Sequence, residues 1–365
     1  MRFRFHAGWL GGFGCCGWLA AAILTAAPAG APRAQDIRPS GAPQSGHIAL
    51  LLPLNAGALA RHADMVRQGF LAAASAQPLP LPVRVYPTSD DDGAVLAAYE
   101  QAVESGARLV VGPLTRANVT ALAKNATLPV TTLALNQPDA KTWPARLVVF
   151  TLNTEAEARQ IAQFAFRDGR RRTLTVSDDS ALSRRIQRAF AEELQRQGGA
   201  VVADFRYAAD PQRLALIRQE ATPKLADSVF LALDTASARA ARPVIDAALP
   251  VYATSQANPG RGDPLARREL EGVRFVDMPW LLSPQHSAVM VYPRPRTDAI
   301  DLERLYAFGI DAARLAQSLL RSRDNVTLDG VTGALRLTRD GQFTRELTTA
   351  QFEGGALKVL SEPAP

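Results

Sequence analysis

Short apolar runs alternate with longer amphipathic stretches along most of this 365-residue chain. His47–Leu52 and Ser228–Ala232 have the length and apolar content typical of buried strands. The stretch after the first run carries Met65, Gly69 and Phe70 at helical spacing. Buried strands that alternate with helices form parallel β-α-β units, with helices on both faces of a sheet. We therefore predict an α/β fold.

The alternation falls into two series of similar size, one before and one after Phe150. In the second series we predict helices at 155–167, 182–197 and 236–247. Two such series predict two Rossmann-like lobes with parallel sheets, joined by a hinge of three crossings near Phe150, Met278 and Gly330. The predicted first lobe comprises residues 46–150 and 280–328, and the predicted second lobe comprises 151–279 and 329–360.

The last part of the chain has a different pattern. A long helix is predicted from Asp301, because apolar side chains then recur on one helical stripe. After Gly330 the pattern becomes antiparallel, with strands predicted at 334–337, 346–352 and 357–360 and a turn at Asp340-Gly341.

The first 34 residues have the features of a secretory signal peptide. Arg2 and Arg4 precede an apolar stretch at 17–24, and small residues follow. We predict that residues 1–34 are removed, that 35–45 form a flexible lead, and that the chain is exported to the periplasm. Outer-membrane association through a lipid on Cys15 or Cys16 is the less favoured expectation, because the more apolar half of the leader follows these cysteines.

The remaining composition argues against several kinds of chemistry. Without the three arginines of the leader, 38 basic residues stand against 35 acidic ones, an imbalance too small to predict a nucleic-acid partner. Both cysteines lie in the leader, and the histidines beyond it lack metal-ligand spacing. No nucleophile elbow or phosphate loop occurs, the apolar stretch of the leader is too short for a transmembrane helix, and no other segment approaches ~20 uninterrupted apolar residues. We predict no metal, no cofactor and no catalytic residue.

Binding residues are expected where the predicted strands end. In open parallel sheets, ligands bind outside the carboxyl ends of the strands. The cleft candidates are Asn55, Thr115, Arg116, Asn118 and Asn136 on the first lobe, and Ser177, Asp178, Asp234, Ser255 and Gln256 on the second. Thr115 precedes a predicted helix, so it could receive a carboxylate or simply cap that helix. Arg116 could bind an anion or point into solvent.

A second candidate surface is basic. Arg171, Arg184, Arg185 and Arg188 belong to a group of six arginines within 19 residues. If these side chains share a face, they would attract an acidic partner protein. A solvated helix face is the alternative.

Several stretches resemble a known fold. Ile48–Leu54 with Gly69-Phe70, and the stretch 112–119, are similar to the type I periplasmic-binding-protein fold over residues 46–360. Residues 129–137 and 277–282 narrow the resemblance to the LppC or LpoA type of penicillin-binding-protein activators. That family often carries a helical repeat domain ahead of this module, whereas here only residues 35–45 separate leader and first strand.

The resemblance implies a non-enzymatic periplasmic protein that binds a class A penicillin-binding protein and stimulates peptidoglycan synthesis. An alternative within the same fold is a solute-binding protein of an ABC importer for amino acids or related small anions. Relatives that bind amino acids hold the ligand carboxylate at the position of Thr115. Sugar-responsive repressors that share this fold would need a DNA-binding helix-turn-helix ahead of the lobes. The predicted signal peptide occupies that part of the chain, so we exclude this class.

Overall fold

The structure is a computed structural model that describes residues 46–124, 128–262 and 264–361. The predicted signal peptide at 1–34 and the predicted lead at 35–45 lie outside the described residues, and so do Cys15 and Cys16. All described residues belong to one unit of the chain, 44–365.

The first sheet has five parallel strands. These are β1 (His47–Leu52), β2 (Val83–Pro87), β3 (Ala107–Val111), β4 (Thr131–Ala134) and β5 (Leu147–Val149), in the order β2-β1-β3-β4-β5. Every residue of β1 is buried, which explains why its sequence after His47 is continuously apolar rather than alternating. The helices that connect these strands are α1 (Gly57–Ala76), α2 (Asp92–Glu104) and α3 (Arg116–Ala123).

The second series of β-α units builds another sheet. Its strands are β6 (Arg172–Ser177), β7 (Ala200–Arg206), β8 (Ser228–Ala232), β9 (Val251–Ala253) and β10 (Val273–Asp277). These five strands run parallel to one another. The helices of this part are α4 (Thr154–Arg167), α5 (Ala181–Gln197), α6 (Pro211–Glu220), α7 (Thr235–Ala241) and α8 (Pro264–Glu269).

The last part returns to the first sheet and then completes the second. Three helices follow β10: α9 (Pro279–Leu282), α10 (Ser287–Met290) and α11 (Ile300–Arg321). Strands β11 (Thr327–Gly330), β12 (Gly333–Leu337) and β13 (Phe343–Glu346) form a small antiparallel sheet of their own. Strands β14 (Thr348–Glu353) and β15 (Ala356–Ser361) then extend the second sheet, whose order is β15-β14-β10-β9-β8-β6-β7.

Helices α1 and α11 meet backbone to backbone over the first sheet. A Cβ atom on Gly309 would lie 2.1 Å from the carbonyl oxygen of Val66, and one on Gly69 would lie 1.9 Å from that of Tyr306. No side chain fits at either position, so the two glycines set how closely the helices approach. Helix α11 also contacts β3 and β4. It is therefore part of the body built around the five-stranded sheet.

The predicted fold class is confirmed, with differences in single elements. The strand predicted at 346–352 is present as β14 but begins two residues later: Leu347 separates β13 from β14, and the Gln160 side chain bonds both backbone groups of Leu347, at 3.0 and 2.8 Å. The helix predicted at 236–247 ends at Ala241, because Pro243 removes a backbone donor. The short strand β5 was not predicted. The lobe boundaries stay a prediction.

Candidate inter-sheet cleft

A cavity of about 330 Å³ lies where elements of the two sheets face each other. One wall comes from α1, from the loops that follow β3 and β4, and from α11; the other comes from the segment after β5 and from α5. Its apolar floor consists of Leu114, Leu135, Leu152, Leu305 and Phe308. The polar lining consists of His62, Arg116, Asn136, Gln137, Thr151, Asn153, Thr154, Glu155 and Arg185. Leu59 and Leu182 complete the lining.

Two arginines give the cavity its charge. Arg116 is the first residue of α3 and is exposed. Arg185 reaches across from α5, and its Nε lies 2.8 Å from Glu155 Oε1. Glu155 is the sole carboxylate among the lining residues, and this ion pair occupies it. The lining therefore carries one net positive charge, above an apolar floor.

Thr115 and Asn118 are used locally. The Thr115 hydroxyl accepts a bond from the Asn118 N–H at 3.3 Å and donates to Asn118 Oδ1 at 2.6 Å, which caps α3. Asn118 is buried and donates from Nδ2 to the carbonyl of Asp90 and to Asp92 Oδ1. These bonds tie the starts of α2 and α3 together, so Asn118 holds the loop rather than facing the cavity.

Asn136 and Asn55 occupy different surroundings. Asn136 lines the cavity, where Nδ2 donates to the Leu114 carbonyl at 3.1 Å and Oδ1 accepts from the Gln137 N–H at 2.9 Å. Asn55 is exposed, and its backbone N–H donates to the Thr88 carbonyl. Of the five candidates on the first sheet, the structure brings Arg116 and Asn136 together in the cavity lining.

The candidates on the second sheet serve other contacts. The Ser177 hydroxyl is buried and accepts from Arg206 at 3.1 Å. Asp178 accepts the Ser180 N–H at 2.7 Å, and exposed Asp234 caps α7 by accepting the Ser237 N–H at 2.8 Å. The Gln256 carbonyl accepts from Thr235. These residues lie outside the lining of the cavity.

Ser255 leads to a buried ionic network between the two sheets. Its hydroxyl donates to Glu157 Oε2 at 2.7 Å, and its carbonyl accepts from Arg304 Nη2 at 2.8 Å. Arg304 also donates to Asp277 Oδ2 at 2.7 Å, and Arg345 donates to Glu157 Oε1 at 3.2 Å. The network links α11 and β13 to α4, β9 and β10, so it ties the bodies of both sheets together.

Burial sets the protonation behaviour of this network. Desolvation raises the pKa of Glu157, a shift that Arg345 opposes and Asp277 reinforces. Desolvation disfavours the charge on Arg304, yet the nearby Asp277 carboxylate outweighs it and holds the pKa of Arg304 above its usual value. Sequence reasoning missed Glu157, Asp277, Arg304 and Arg345. Arg304 lies on the side of α11 opposite the predicted apolar stripe, so the helical pattern gave no signal that its side chain is buried.

The arginines proposed as a partner surface separate into two places. Arg184, Arg185 and Arg188 lie on the first half of α5, beyond the carboxyl end of β6. Arg171 precedes the amino end of β6, roughly 20 Å away along that six-residue strand, and stacks on the Phe166 ring at 3.4 Å. The three arginines of α5 can therefore form one surface, and Arg171 is not part of it.

Within the described ranges the structure offers neither a metal site nor a membrane-spanning helix. No group of three or more His, Cys, Asp or Glu side chains arranged to hold a metal ion was found there. None of the helices in those ranges combines the length and the apolar character needed to cross a bilayer.

Comparison with known structures agrees with the class that the two sheets define, the type I periplasmic-binding-protein fold. A protein from Chromobacterium violaceum ATCC 12472, described as a putative branched-chain amino acid ABC transporter, superposes with a TM-score of 0.74 and 40% identity, over 84% of this chain and 99% of that one. The C-domain of Haemophilus influenzae LpoA, described as a regulator of PBP1A, gives a TM-score of 0.74 and 25% identity over 87% of this chain and all of that one.

The chain belongs to the family described as LppC putative lipoprotein, whose pattern matches residues 25–355. It is 28% identical over 404 residues to the penicillin-binding protein activator LpoA of Yersinia pestis bv. Antiqua (strain Angola), covering 86% of this chain. A Photobacterium profundum protein of the same name is 27% identical over 361 residues. The chain spans 61% and 58% of the lengths of these two relatives. The family resemblance drawn from residues 129–137 and 277–282 is confirmed.

Proposed function

We propose that this chain is a periplasmic activator of peptidoglycan synthesis that binds a class A penicillin-binding protein and works by protein contact, without making or breaking bonds itself. The observation that carries the proposal is the LppC family match over residues 25–355. The likeness to an LpoA C-domain described as a regulator of PBP1A supports the choice of partner.

The buried ionic network supports action by contact. Arg304 belongs to the helix packed against the first sheet, and it and Glu157 are buried and bonded to residues at the ends of second-sheet strands. If these bonds hold the two sheets in one arrangement, the surface offered to a partner is preorganised and little conformational entropy is lost on binding. This property suits a protein whose task is to hold another protein in an active arrangement.

Binding and glycan polymerisation test the proposal. The full chain, freed of its leader by export, is mixed with the class A penicillin-binding protein of the same bacterium in detergent. We expect co-purification of the two proteins and a faster polymerisation of lipid-linked precursor than with the synthase alone. A heat-unfolded sample of the chain serves as the control. No complex together with an unchanged polymerisation rate would remove the proposal.

The proposed function also requires that the chain is located outside the cytoplasm. We propose that the chain is exported, since residues 1–34 have the pattern of a signal peptide and its family is described as lipoproteins. The intact mass of the chain recovered from its own bacterium distinguishes a free periplasmic protein from one anchored in the outer membrane by a lipid. A mass that begins near residue 35 indicates a free periplasmic protein. A mass that begins at Cys15 or Cys16 and carries added acyl chains indicates an outer-membrane anchor.

A second candidate function is a solute receptor of an ABC importer. The observation in its favour is the 40% identity to the Chromobacterium protein described as a putative branched-chain amino acid ABC transporter. The 330 Å³ cavity, at the small end of the ~300–1,000 Å³ usual for ligand sites, has room for one amino acid. Calorimetry with a panel of amino acids decides: micromolar binding supports the receptor, and absence of heat across the panel supports the activator.

A further inference from the structure

The opening of the inter-sheet cavity exposes leucines from both sides. Leu59 of α1 and Leu182 of α5 each leave 36% of their surface accessible, and both line the cavity. The pair faces an opening whose floor, with Phe308 and Leu135, is already apolar. Apolar side chains gathered at a polar rim mark surfaces that bind another molecule. We call Leu59, Arg116, Leu182 and Arg185 the cleft mouth.

The cleft mouth is positively charged. Arg116 is exposed, and within the described part of the chain its guanidinium has no hydrogen-bond or ion-pair partner. Arg185 pairs with Glu155 but keeps 54% of its side chain exposed. The next turn of α5 adds exposed Arg188. The complementary occupant therefore carries negative charge next to an apolar group.

A polypeptide segment fits this surface better than a free amino acid. An amino acid needs a carboxylate for its ammonium group, and the one carboxylate of the lining, Glu155, is held by Arg185. The positive surface also continues past the cavity by about one helical turn, roughly 5 Å, from Arg185 to Arg188. A chain of several residues can reach both parts, whereas a single small ligand fills the cavity alone.

We infer that the cleft mouth is the docking site for an acidic segment of the partner protein, with one apolar side chain inserted between Leu59 and Leu182 and carboxylates paired to Arg116 and Arg185. The inference rests on the proposed function, because it takes the class A synthase as the partner. It adds the face of this chain that binds and the chemistry of the segment that is bound.

Charge reversal at the cleft mouth tests the inference. We compare the full chain with Arg116→Glu and with Arg116→Glu/Arg185→Glu for binding to the detergent-solubilised synthase. The double variant is expected to bind at least about tenfold more weakly, because two attractive pairs become repulsive. Arg116→Glu alone lowers affinity to a smaller extent and leaves the Glu155 ion pair in place. Leu59→Ser/Leu182→Ser is expected to weaken binding without changing its salt dependence.

A matched control has the same change in charge elsewhere. Arg213 and Arg218 are exposed on α6, which contributes nothing to the cavity lining. Arg213→Glu/Arg218→Glu is expected to bind the synthase as tightly as the unmodified chain. Circular dichroism and thermal unfolding confirm that all variants are folded, which their exposed positions predict.

The outcomes separate the two proposals. If the unmodified chain binds and activates the synthase while the cleft-mouth variants bind equally well, the docking inference is wrong and the proposed function stands. Equal losses in the α6 control also overturn the inference, since the attraction is then not local. Displacement of the synthase by free leucine or glutamate would assign the cleft to a small ligand and overturn it as well. If the unmodified chain binds no synthase, the proposed function itself fails.

Discussion

Glu193 shows how a single buried acid joins two helices. It lies on α5 and accepts bonds from Gln163 of α4 at 2.7 Å and from Arg196 Nε at 2.8 Å. The Arg196 guanidinium holds the pKa of Glu193 down, from its ordinary value of 4.5 to about 2. A lowered acid pKa means that the charged form is preferred in the folded protein. The stability that it contributes is therefore complete above about pH 4.5 and is lost as the pH falls toward 2.

We predict that Glu193→Gln lowers the free energy of unfolding by about 1–2 kcal/mol at pH 7, less than the full pKa shift implies because exposed Arg196 is screened by water. Urea unfolding at a series of pH values measures it. The difference from the unmodified chain should shrink below pH 4.5 and vanish near pH 2. The exposed neighbour provides the control, Glu192→Gln, with little effect at any pH. A difference that does not depend on pH would contradict the assignment.

Single residues also mark where reading the site from the sequence stops. The strand-end rule places Arg116 and Asn136 at the sheet edge, and both line the cavity. Ser255 follows a strand in the same way, yet its hydroxyl is taken by Glu157, 98 residues earlier in the chain. Sequence position predicts which residues reach an edge. It does not predict which of them a distant side chain has already bonded.

At the scale of elements, the contact between α1 and α11 is the most demanding in the fold. We predict that Gly309→Ala lowers the free energy of unfolding by about 2–3 kcal/mol, because its Cβ would lie 2.1 Å from the Val66 carbonyl and push the helices apart. Chemical denaturation measures the loss. Gly93→Ala on α2 is the matched control: its Cβ meets only Asp91 Oδ1, at 3.2 Å, so stability should hold or rise slightly. If the two substitutions changed the free energy of unfolding equally, helix propensity rather than the close contact between α1 and α11 would determine the effect of alanine at these positions.

Elements with local start and stop signals could be predicted from the sequence. Helix α5 begins at the Ser180 cap and ends at Gly198, whose φ of 98° suits glycine, and the prediction of 182–197 differs by one residue. Strand β8 was predicted with both of its ends. The predicted strand 346–352 starts two residues before β14, because strand-like residues continue through Leu347. The break there is made by Gln160, 187 residues earlier, and no local pattern reports such a bond.

At the scale of the whole molecule, the two sheets are held by charge as well as by packing. Arg304 projects from α11, which packs against the first sheet, and bonds Ser255 and Asp277 at the ends of β9 and β10 in the second. Its side chain is only 9% exposed and that of Asp277 2%. A buried pair of this kind costs much to break, because removing one partner leaves the other charge without compensation. Moving the two sheets apart would separate Arg304 from Asp277 and leave each of these buried charges without its partner.

Removing Arg304 tests whether this pair sets the arrangement of the sheets. We predict that Arg304→Met lowers the free energy of unfolding by about 3–5 kcal/mol and speeds hydrogen exchange at the backbone amides of Asn258 and Met278, which flank the network. Arg304→Lys should cause smaller changes in stability and exchange than Arg304→Met, because lysine keeps the positive charge but lacks the planar guanidinium that bonds several acceptors at once. Arg321→Met, at the exposed end of the same helix, controls for the loss of a positive charge. Exchange unchanged in Arg304→Met, with stability lost, would mean that the network supports the fold without holding the two sheets in register.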